Sequence, residues 1–272
     1  MTLTGTTAFI TGASRGIGRA IASRLAADGA NVIVTGKTVE PHPILPGTIH
    51  TVADDIRRQG GRAIAVQMDV RDEAQVQAAV DRAVEAFGRI DILVNNASAI
   101  SLTRTADTPM KRFDLMHQVN VRATFMCTQK CLPHLKRAGG AHVLNIAPPL
   151  NLAPRWFAPH VAYTMSKYGM SLCVLGMAEE FRADRVAVNA LWPRTLIDTA
   201  AMNLVPGADR ARCRTAAIVA DAAQVIVTSD PATYTGRFLI DEEVLRDAGI
   251  TDFSPYRAVE GSTQELADDL FL

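Results

Sequence analysis

The stretch Thr11-Gly12-Ala13-Ser14-Arg15-Gly16-Ile17-Gly18 follows a short apolar run and leads into a helical pattern. Gly12 permits a tight turn, Gly16 allows the backbone to approach a pyrophosphate, and Gly18 lets the helix pack closely on a sheet. The N–H groups of the helix N-terminus attract phosphate. The glycine spacing differs from the common dinucleotide fingerprint, so a tight turn without a ligand is the alternative. The stretch indicates a dinucleotide site at the first turn of an α/β fold.

Short apolar runs alternate with helical patterns along the 272-residue chain. The apolar runs are Ala8–Ile10, Val32–Val34, Ile64–Met68, Ile90–Val94, Val143–Ile146, Val186–Leu191 and Phe238–Ile240. Such runs between helices are typical of parallel strands covered on both faces. No repeat, low-complexity tract or linker divides the chain, and its length suits one core. The sequence therefore predicts an α/β fold with a single domain over residues 1–272, built on a doubly wound parallel sheet of about seven strands.

The charges of the chain are balanced, with 28 Lys and Arg residues against 28 Asp and Glu residues. This balance provides no long-range field that would attract nucleic acid or an acidic membrane surface. No apolar run approaches the roughly 20 residues of a membrane span, and the first residues lack a basic segment followed by an apolar stretch. We expect a cytoplasmic protein with a small-molecule substrate and no nucleic-acid or membrane partner.

The four cysteines, Cys127, Cys131, Cys173 and Cys213, do not form the dense, paired pattern of a disulfide scaffold and are predicted to be reduced thiols. Cys127, Cys131 and His134 fall within two turns of one predicted helix and are the best candidates for metal ligands. A zinc site would need a second ligand cluster at suitable spacing, which the sequence lacks. We therefore predict no metal.

A tyrosine and a lysine lie one helical turn apart in Tyr163-Thr-Met-Ser-Lys167, and positions i and i+4 share a helix face. An ammonium beside a phenol favours the phenolate, so this tyrosine can exchange a proton closer to neutrality than its usual pKa of about 10 allows. Hydride transfer to or from a carbonyl carbon needs such a proton at the oxygen. With the dinucleotide site, the pair indicates a carbonyl/alcohol oxidoreductase, while a core tyrosine is the alternative.

The residues after the second strand bear on which dinucleotide binds. A carboxylate there would bind the ribose hydroxyl of NAD, but the chain has Thr35-Gly36-Lys37. Lys37 and Arg15 can flank the extra phosphate of NADP, so NADP(H) is favoured over NAD(H), although Lys37 can equally be a solvated side chain. Asp69, after the third strand, can accept a hydrogen bond from the adenine amino group or cap the next helix, where Asp72 is a competing cap.

Several motifs occur in an order that resembles the short-chain dehydrogenase/reductase family. The matching elements are the glycine motif at 11–18, Asn95-Asn96-Ala97-Ser98, Asn120, and Tyr163 with Lys167. The resemblance extends over nearly the whole chain. It implies a Rossmann fold, a nicotinamide cofactor, and a homodimer or homotetramer formed through the helices that carry Asn120 and Tyr163.

The resemblance implies a role for each matched position. Tyr163 would be the general acid/base, Lys167 would lower its pKa and hold the nicotinamide ribose, and Asn120 would anchor a water that relays protons to Lys167. Thr195 after Pro193 would contact the nicotinamide carboxamide. The predicted cofactor-binding set is Gly12, Ser14, Arg15, Gly16, Ile17, Gly18, Lys37, Asp69, Val70, Asn96, Ala97, Lys167, Pro193 and Thr195.

Two positions depart from the family pattern. Arg194 stands where the family often has glycine, and Ala147 replaces the serine that hydrogen-bonds the substrate oxygen. Losing one such donor costs on the order of a hundred- to a thousandfold in turnover. Asn145 and Asn151 are candidate replacement donors, although Asn145 can equally be a structural residue. The departure leaves a second function open, a catalytically weak NADP(H)-binding sensor or scaffold.

Apolar side chains flank the predicted nicotinamide site. Trp156 and Phe157 precede the tyrosine, and Met202–Val205 follow the sixth strand. With Ala147 and Asn151, Trp156 and Phe157 form the predicted substrate pocket, which suits a hydrophobic carbonyl or alcohol. The same side chains can equally be lid or oligomer contacts.

Overall fold

Seven parallel strands form one sheet in the computed structural model, which describes residues 2–42, 46–204, 207 and 209–272. The strands are β1 (Thr7–Ile10), β2 (Asn31–Gly36), β3 (Arg62–Gln67), β4 (Ile92–Asn95), β5 (Ala141–Ile146), β6 (Val186–Trp192) and β7 (Phe238–Ile240). Their order in the sheet is β3-β2-β1-β4-β5-β6-β7, and each neighbouring pair is parallel. The predicted doubly wound sheet of seven strands is confirmed.

Helices cover both faces of the sheet. They are α1 (Gly16–Ala27), α2 (Ile49–Arg58), α3 (Glu73–Phe87), α4 (Met110–Met116), α5 (Ala123–Arg137), α6 (Val161–Glu180), α7 (Ala217–Val227) and α8 (Asp241–Asp247). Successive side chains of a strand point to opposite faces, so Ile10 packs in the core with α1, α2 and α7, and Phe9 packs in the core with α3 and α5. One π-helical turn, His117–Arg122, connects α4 to α5.

The winding of the sheet reverses at β1, which pairs with both β2 and β4. The chain leaves β1 and β4 on the same edge of the sheet because the two strands are parallel. The glycine turn after β1 and the loop after β4 therefore lie side by side. In folds of this kind such a reversal opens a crevice in which ligands bind.

Residues 267–272, here called the C-terminal strap, return to this edge of the sheet beside the end of β6. Asp268 forms an antiparallel bridge with Thr195. The backbone N–H of Asp269 donates to the carbonyl oxygen of Arg194 at 3.1 Å. The indole Nε1 of Trp192 donates to the carbonyl oxygen of Leu270 at 2.8 Å. The strap is thus hydrogen-bonded to the segment that follows β6.

Phe271 anchors the C-terminal strap by burying its ring in a cage of aromatic side chains. The distances between ring centroids are 5.4 Å to Tyr168, 5.8 Å to Trp192, 6.0 Å to His160, 6.1 Å to Trp156 and 6.2 Å to Tyr163. Its φ of 77° lies in the left-handed region, which for a residue other than glycine costs on the order of 1–3 kcal/mol. The contacts of the ring are what hold the backbone in this conformation.

The described residues contain neither a membrane-spanning helix nor a cluster of metal ligands. No helix there is long and apolar enough to cross a bilayer, and no group of three or more His, Cys, Asp or Glu side chains there could hold a metal ion. Cys127 and Cys131 lie in the core, where burial raises the pKa of both thiols. His134 instead contacts the guanidinium of Arg137 through Nδ1 at 2.7 Å.

Candidate active site

The turn between β1 and α1 is hydrogen-bonded to the loop after β4. The Asn96 side-chain amide donates to the carbonyl oxygens of Thr11 and Gly12 at 2.9 and 3.0 Å. The Thr11 hydroxyl accepts from the N–H groups of Asn96 and Ala97, each at 3.0 Å. A Cβ at Gly12 would stand 2.9 Å from Ala97 Cα, and one at Gly18 would stand 2.5 Å from Asn96 Nδ2. Close packing therefore requires glycine at both positions.

A cavity of about 540 Å³ opens at this edge of the sheet. It extends from Lys37 and Asp69, beyond β2 and β3, to Tyr163 and Lys167 on α6. The predicted site residues that line it are Gly12, Ser14, Arg15, Gly16, Ile17, Lys37, Asp69, Val70, Asn96, Ala97, Tyr163, Lys167 and Pro193. The structure thus brings the glycine turn and the Tyr/Lys pair to one cavity, although they are some 150 positions apart in the sequence.

Two basic side chains lie at the end of the cavity beside β2. The Arg15 guanidinium donates to Thr38 Oγ1 at 3.3 Å and to the carbonyl oxygen of Gly47 at 3.2 Å. The Lys37 ammonium is 3.6 Å from the Asp69 carboxylate and is 62% exposed. Because Thr38 directly follows Lys37, both cations border the same part of the cavity.

The Asp69 carboxylate forms a double hydrogen bond with the Arg71 guanidinium, which reaches Oδ1 at 3.0 Å and Oδ2 at 2.6 Å. These hydrogen bonds, more than the nearby charge of Lys37, lower the pKa of Asp69 to about 2. The cap of α3 is Asp72, whose carboxylate accepts from the N–H groups of Ala74 and Gln75. The alternative in which Asp69 caps this helix is therefore wrong.

Lys167 is buried on α6. Its ammonium donates to the carbonyl oxygen of Ile146 at 2.6 Å and lies 5.0 Å from the ring centroid of Trp192. Burial lowers the pKa of Lys167 to about 7, and the charge of Asp269 partly opposes this shift. Close to neutral pH, the side chain can therefore be charged or neutral.

Tyr163 is buried beside Lys167 and faces the ring of Phe271. Burial, and then the negative charge of Asp269, raise the pKa of its phenol above the usual value. The expected lowering of this pKa by Lys167 is therefore wrong for the structure described. The physical reason is that the ammonium is directed to Ile146, while low polarity around the phenol disfavours its anion.

Asn120 lies in the π-helical turn and connects two parts of the site. Its side-chain oxygen accepts from the backbone N–H of Ala99 at 2.8 Å, and its side-chain amide donates to the carbonyl oxygen of Ala99 at 3.0 Å. The same amide donates to Ser166 Oγ at 2.9 Å, one residue before Lys167. Asn120 does not line the cavity within the described residues, so its visible role is to join the loop after β4 to α6. Turns of this type are frequent at functional sites.

A family comparison agrees with this arrangement of a glycine turn, an asparagine and a Tyr/Lys pair. A model of the short chain dehydrogenase family matches residues 6–206. The chain belongs to the short-chain dehydrogenase family.

The relatives extend this similarity over the chain. Hydroxysteroid dehydrogenase-like protein 2 of Bos taurus is 55% identical over 271 residues, which cover 99% of this chain but only 64% of the bovine protein. A short chain dehydrogenase of Mycobacterium thermoresistibile is 50% identical, with a TM-score of 0.93 and coverage of 100% of this chain and 96% of that one. A metagenomic short-chain oxidoreductase solved with NADP is 27% identical, with a TM-score of 0.73 and coverage of 88% and 96%.

Members of the short-chain dehydrogenase family bind a nicotinamide dinucleotide, and the residues present fit it. Gly16 has a φ of 57° and lines the cavity at the start of α1, where backbone N–H groups favour phosphate. Thr195, predicted to contact the carboxamide, does not line the cavity in the described structure. Its hydroxyl is buried and has no hydrogen-bond partner there, close to the cavity-lining Pro193.

The four residues of the predicted substrate pocket, Ala147, Asn151, Trp156 and Phe157, do not line this cavity in the described part of the chain. Ala147, at the position of the family serine, is fully buried in the core. The backbone of Asn151 is hydrogen-bonded to the Tyr168 hydroxyl. Trp156 packs on Phe271 of the C-terminal strap, and Phe157 packs on Tyr168. The strap thus packs against one of the four residues that the sequence assigned to the substrate pocket.

Asn145 is not a free donor in place of the family serine. Its side-chain oxygen accepts from the Asn95 amide at 2.9 Å, and its own amide is 3.4 Å from the carbonyl oxygen of Met170. It connects β4, β5 and α6 inside the core. The structural alternative for Asn145 is therefore the correct one.

Asp269 and Leu270, which line the cavity beside Tyr163 and Lys167, are among the cavity-lining residues that the sequence did not predict. They are about 100 positions from that pair along the chain, and no motif marks them. The only local signal is an acidic pair, Asp268-Asp269, directly before three apolar residues at 270–272.

The contact between Gly18 and Asn96 predicts the effect of Gly18→Ala. The added methyl group would press on the Asn96 amide and on the carbonyl oxygen of Gly12, so we expect a loss of about 1–3 kcal/mol in the free energy of unfolding, measured by urea denaturation. The matched control is Gly176→Ala on α6, where nothing lies within 4 Å of the added Cβ and a gain of about 0.5–1 kcal/mol is expected. Equal stability of the two variants would contradict the tight packing of the turn.

Proposed function

We propose that the protein is an NADP(H)-dependent oxidoreductase that interconverts a carbonyl and a secondary alcohol on a hydrophobic substrate, with Tyr163 as general acid/base. The observation that carries this proposal is a cavity lined by both the glycine turn and the buried Tyr163 and Lys167. A phosphate-binding turn and a proton donor in one cavity are the two requirements of hydride transfer coupled to proton transfer.

The side chains have separate tasks in this reaction. The bound nicotinamide dinucleotide supplies the hydride in reduction and accepts it in oxidation. Tyr163 Oη gives its proton to the substrate oxygen in reduction and takes it back in oxidation. Burial favours the protonated phenol, which is the form that an acid needs. Lys167, in its charged form, stabilises the Tyr163 phenolate that forms when the proton leaves. We propose that Asn120 anchors a water that relays protons to Lys167.

We propose NADP(H) as the cofactor because Arg15 and Lys37 border the cavity beside β2. The four residues at 35–38 include no carboxylate that could bind the second ribose hydroxyl of NAD. Two cations there would stabilise the additional phosphate of NADP. Asp69 is proposed to accept a hydrogen bond from the adenine amino group, since a carboxylate has about four lone-pair positions and Arg71 uses three, two through its guanidinium and one through its backbone N–H.

The proposed phosphate contact predicts the effect of Lys37→Ala. We expect the Kd for NADPH to rise about tenfold, which corresponds to about 1.4 kcal/mol, and the Kd for NADH to change less than twofold. The measurement is a fluorescence titration with each nucleotide. Lys136→Ala is the matched control, because this lysine is ion-paired with Asp184 at 2.7 Å and does not line the cavity. An equal effect on both nucleotides would show that Lys37 does not select the phosphate.

The acid/base role predicts the effect of Tyr163→Phe. Removing the hydroxyl removes the proton donor but keeps the ring, so we expect kcat to fall by about a hundred- to ten thousandfold while the Kd for NADPH changes less than threefold. Tyr234→Phe, which changes a partly buried tyrosine outside the cavity, is the control. Turnover that survives Tyr163→Phe would end the proposed acid/base role.

The second candidate, a catalytically weak NADP(H)-binding sensor or scaffold, is favoured by one observation, the buried methyl group of Ala147 where the family has a hydroxyl. The substitution Ala147→Ser separates the candidates. If another residue already supplies the hydrogen bond to the substrate, Ala147→Ser should change turnover only modestly. If the site lacks that hydrogen bond, Ala147→Ser should raise turnover by orders of magnitude. Tight NADPH binding without turnover in the unchanged protein would favour the sensor.

The substrate is proposed to be hydrophobic because part of the cavity wall is apolar. The side chains concerned are Ile100, Leu102, Leu115, Val119, Leu196 and Met202. Of the predicted loop Met202–Val205, Val205 lies outside the described residues. NADPH consumption is to be measured with cyclohexanone, acetophenone, a long-chain methyl ketone and a keto-steroid. The name of the bovine relative motivates the last of these.

We also propose a homodimer or homotetramer. Phe125 on α5 and Met165, Leu172 and Leu175 on α6 are large apolar side chains that are 47–57% exposed. Neighbouring exposed side chains of this kind indicate a protein interface. A cytoplasmic location and one domain over residues 1–272 stay predictions of the sequence.

The interface predicts the effect of replacing Leu172 and Leu175 together by Glu. Two charges on the apolar face should dissociate the oligomer to a species of 29.3 kDa, measured by light scattering during gel filtration. Ile250→Glu, which adds one charge at an exposed position outside this face, should leave the mass unchanged. An oligomer that persists in the double variant would place the interface elsewhere.

A further inference from the structure

The C-terminal strap brings a carboxyl group to the acid/base pair. Asp269 lines the cavity together with Tyr163 and Lys167, and it interacts electrostatically with both side chains. The carboxyl group is held in place on both sides. The backbone N–H of Asp269 donates to the carbonyl oxygen of Arg194. Of the next two residues, Leu270 accepts a hydrogen bond from the indole of Trp192, and Phe271 is held in its aromatic cage.

The hydrogen bonds of the Asp269 carboxyl group leave one oxygen available. Oδ1 accepts from the N–H of Leu270 at 2.7 Å. In the described part of the chain, Oδ2 has no hydrogen-bond partner, and no ion pair joins Asp269 to a basic side chain. The Lys167 ammonium is directed to the carbonyl oxygen of Ile146. Asp269, which lines the cavity, therefore has one carboxyl oxygen whose hydrogen-bonding capacity is unused.

The positions at which the sequence suggests a substrate-binding donor are engaged elsewhere or carry no donor. Ala147 carries no hydroxyl, and Asn145 is bonded within the core. Asn151 lies outside the cavity lining, and its side-chain oxygen accepts from the N–H of Ala153 at 3.1 Å. We propose that Asp269 hydrogen-bonds the oxygen of the carbonyl or alcohol substrate and so takes the place of the hydroxyl missing at Ala147. This inference rests on the proposed oxidoreductase function.

The electrostatic surroundings suit both directions of the reaction. Burial raises the pKa of Asp269 to about 7, the charge of Asp241 adds to this shift, and the N–H of Leu270 and the charge of Lys167 oppose it. The titratable groups that interact with it are Tyr163 and Lys167 from α6, Asp241 from α8, and Cys213 from the segment before α7. As an acid, Asp269 donates to a carbonyl oxygen, and as a carboxylate it accepts from an alcohol. A buried carboxylic acid can act as such a donor. It keeps its own proton, because Tyr163 supplies the one that is transferred.

The test compares Asp269→Leu with Asp269→Asn, which are similar in size and both uncharged. Both remove the charge that acts on Lys167, but only the asparagine donates a hydrogen bond. We expect Asp269→Leu to lower kcat/KM by about a hundred- to a thousandfold. We expect the kcat/KM of Asp269→Asn to be at least about tenfold higher than that of Asp269→Leu from pH 6 to pH 8. The substrate is the carbonyl of the panel above with the highest kcat/KM. The unchanged protein should lose reductase activity as the pH rises through about 7, because its donor proton is lost there.

The controls separate this inference from the proposed function. Asp268→Leu changes the exposed neighbour in the same strap and should keep kcat/KM within about threefold, and every variant should keep its Kd for NADPH and its Tm. Should Asp269→Leu not fold, Asp269→Ala takes its place. Equal kcat/KM of the leucine and asparagine variants, or full activity of both, would overturn the role of Asp269 while leaving that of Tyr163 intact. Absence of turnover in the unchanged protein with every carbonyl would overturn both proposals.

Discussion

The hydrogen bonds between the first and fourth strand loops are the constraint on which the site depends. Asn96 and Thr11 bond to each other through both side chain and backbone, so the glycine turn cannot move independently of the loop after β4. That loop continues to Ala99, whose N–H and carbonyl oxygen are both bonded to Asn120. Asn120 in turn holds Ser166 on α6. A chain of hydrogen bonds therefore fixes α6, which carries Tyr163 and Lys167, relative to the glycine turn.

This rigid frame places the acid/base pair in surroundings of low polarity. Burial raises the pKa of Tyr163 and lowers that of Lys167, so both groups are shifted toward their neutral forms. A buried charge is tolerated only where hydrogen bonds compensate for lost water, and Lys167 has the carbonyl oxygen of Ile146 and the face of Trp192. The pair at rest is suited to hold a proton. An anion at Tyr163 would need a nearby positive charge, which Lys167 can supply only in its protonated form.

The parts of the molecule that local chemistry determines could be predicted from sequence. Buried parallel strands must be short and apolar, and Gly12 and Gly18 leave no room for a side chain, so both signals are visible without the fold. The helix cap at Asp72 rather than Asp69 was undecided, because the choice depends on the backbone geometry of a few residues. The contact between Trp156 of the predicted substrate pocket and Phe271 could not be predicted for a different reason. No periodicity relates residues so distant in the chain.

Arg194 and the C-terminal strap hold each other in place through a backbone hydrogen bond. Where the family often has glycine, the backbone of Arg194 donates to the Asp241 carboxylate at 2.8 Å and accepts from the N–H of Asp269 at 3.1 Å, while its guanidinium pairs with Glu243. The residue thus joins α8 and the strap directly after the cavity-lining Pro193. Displacing the strap would break the bond between Arg194 and Asp269 and empty the aromatic cage around Phe271. The cavity wall formed by Asp269 and Leu270 is for that reason held by the packing of the folded chain.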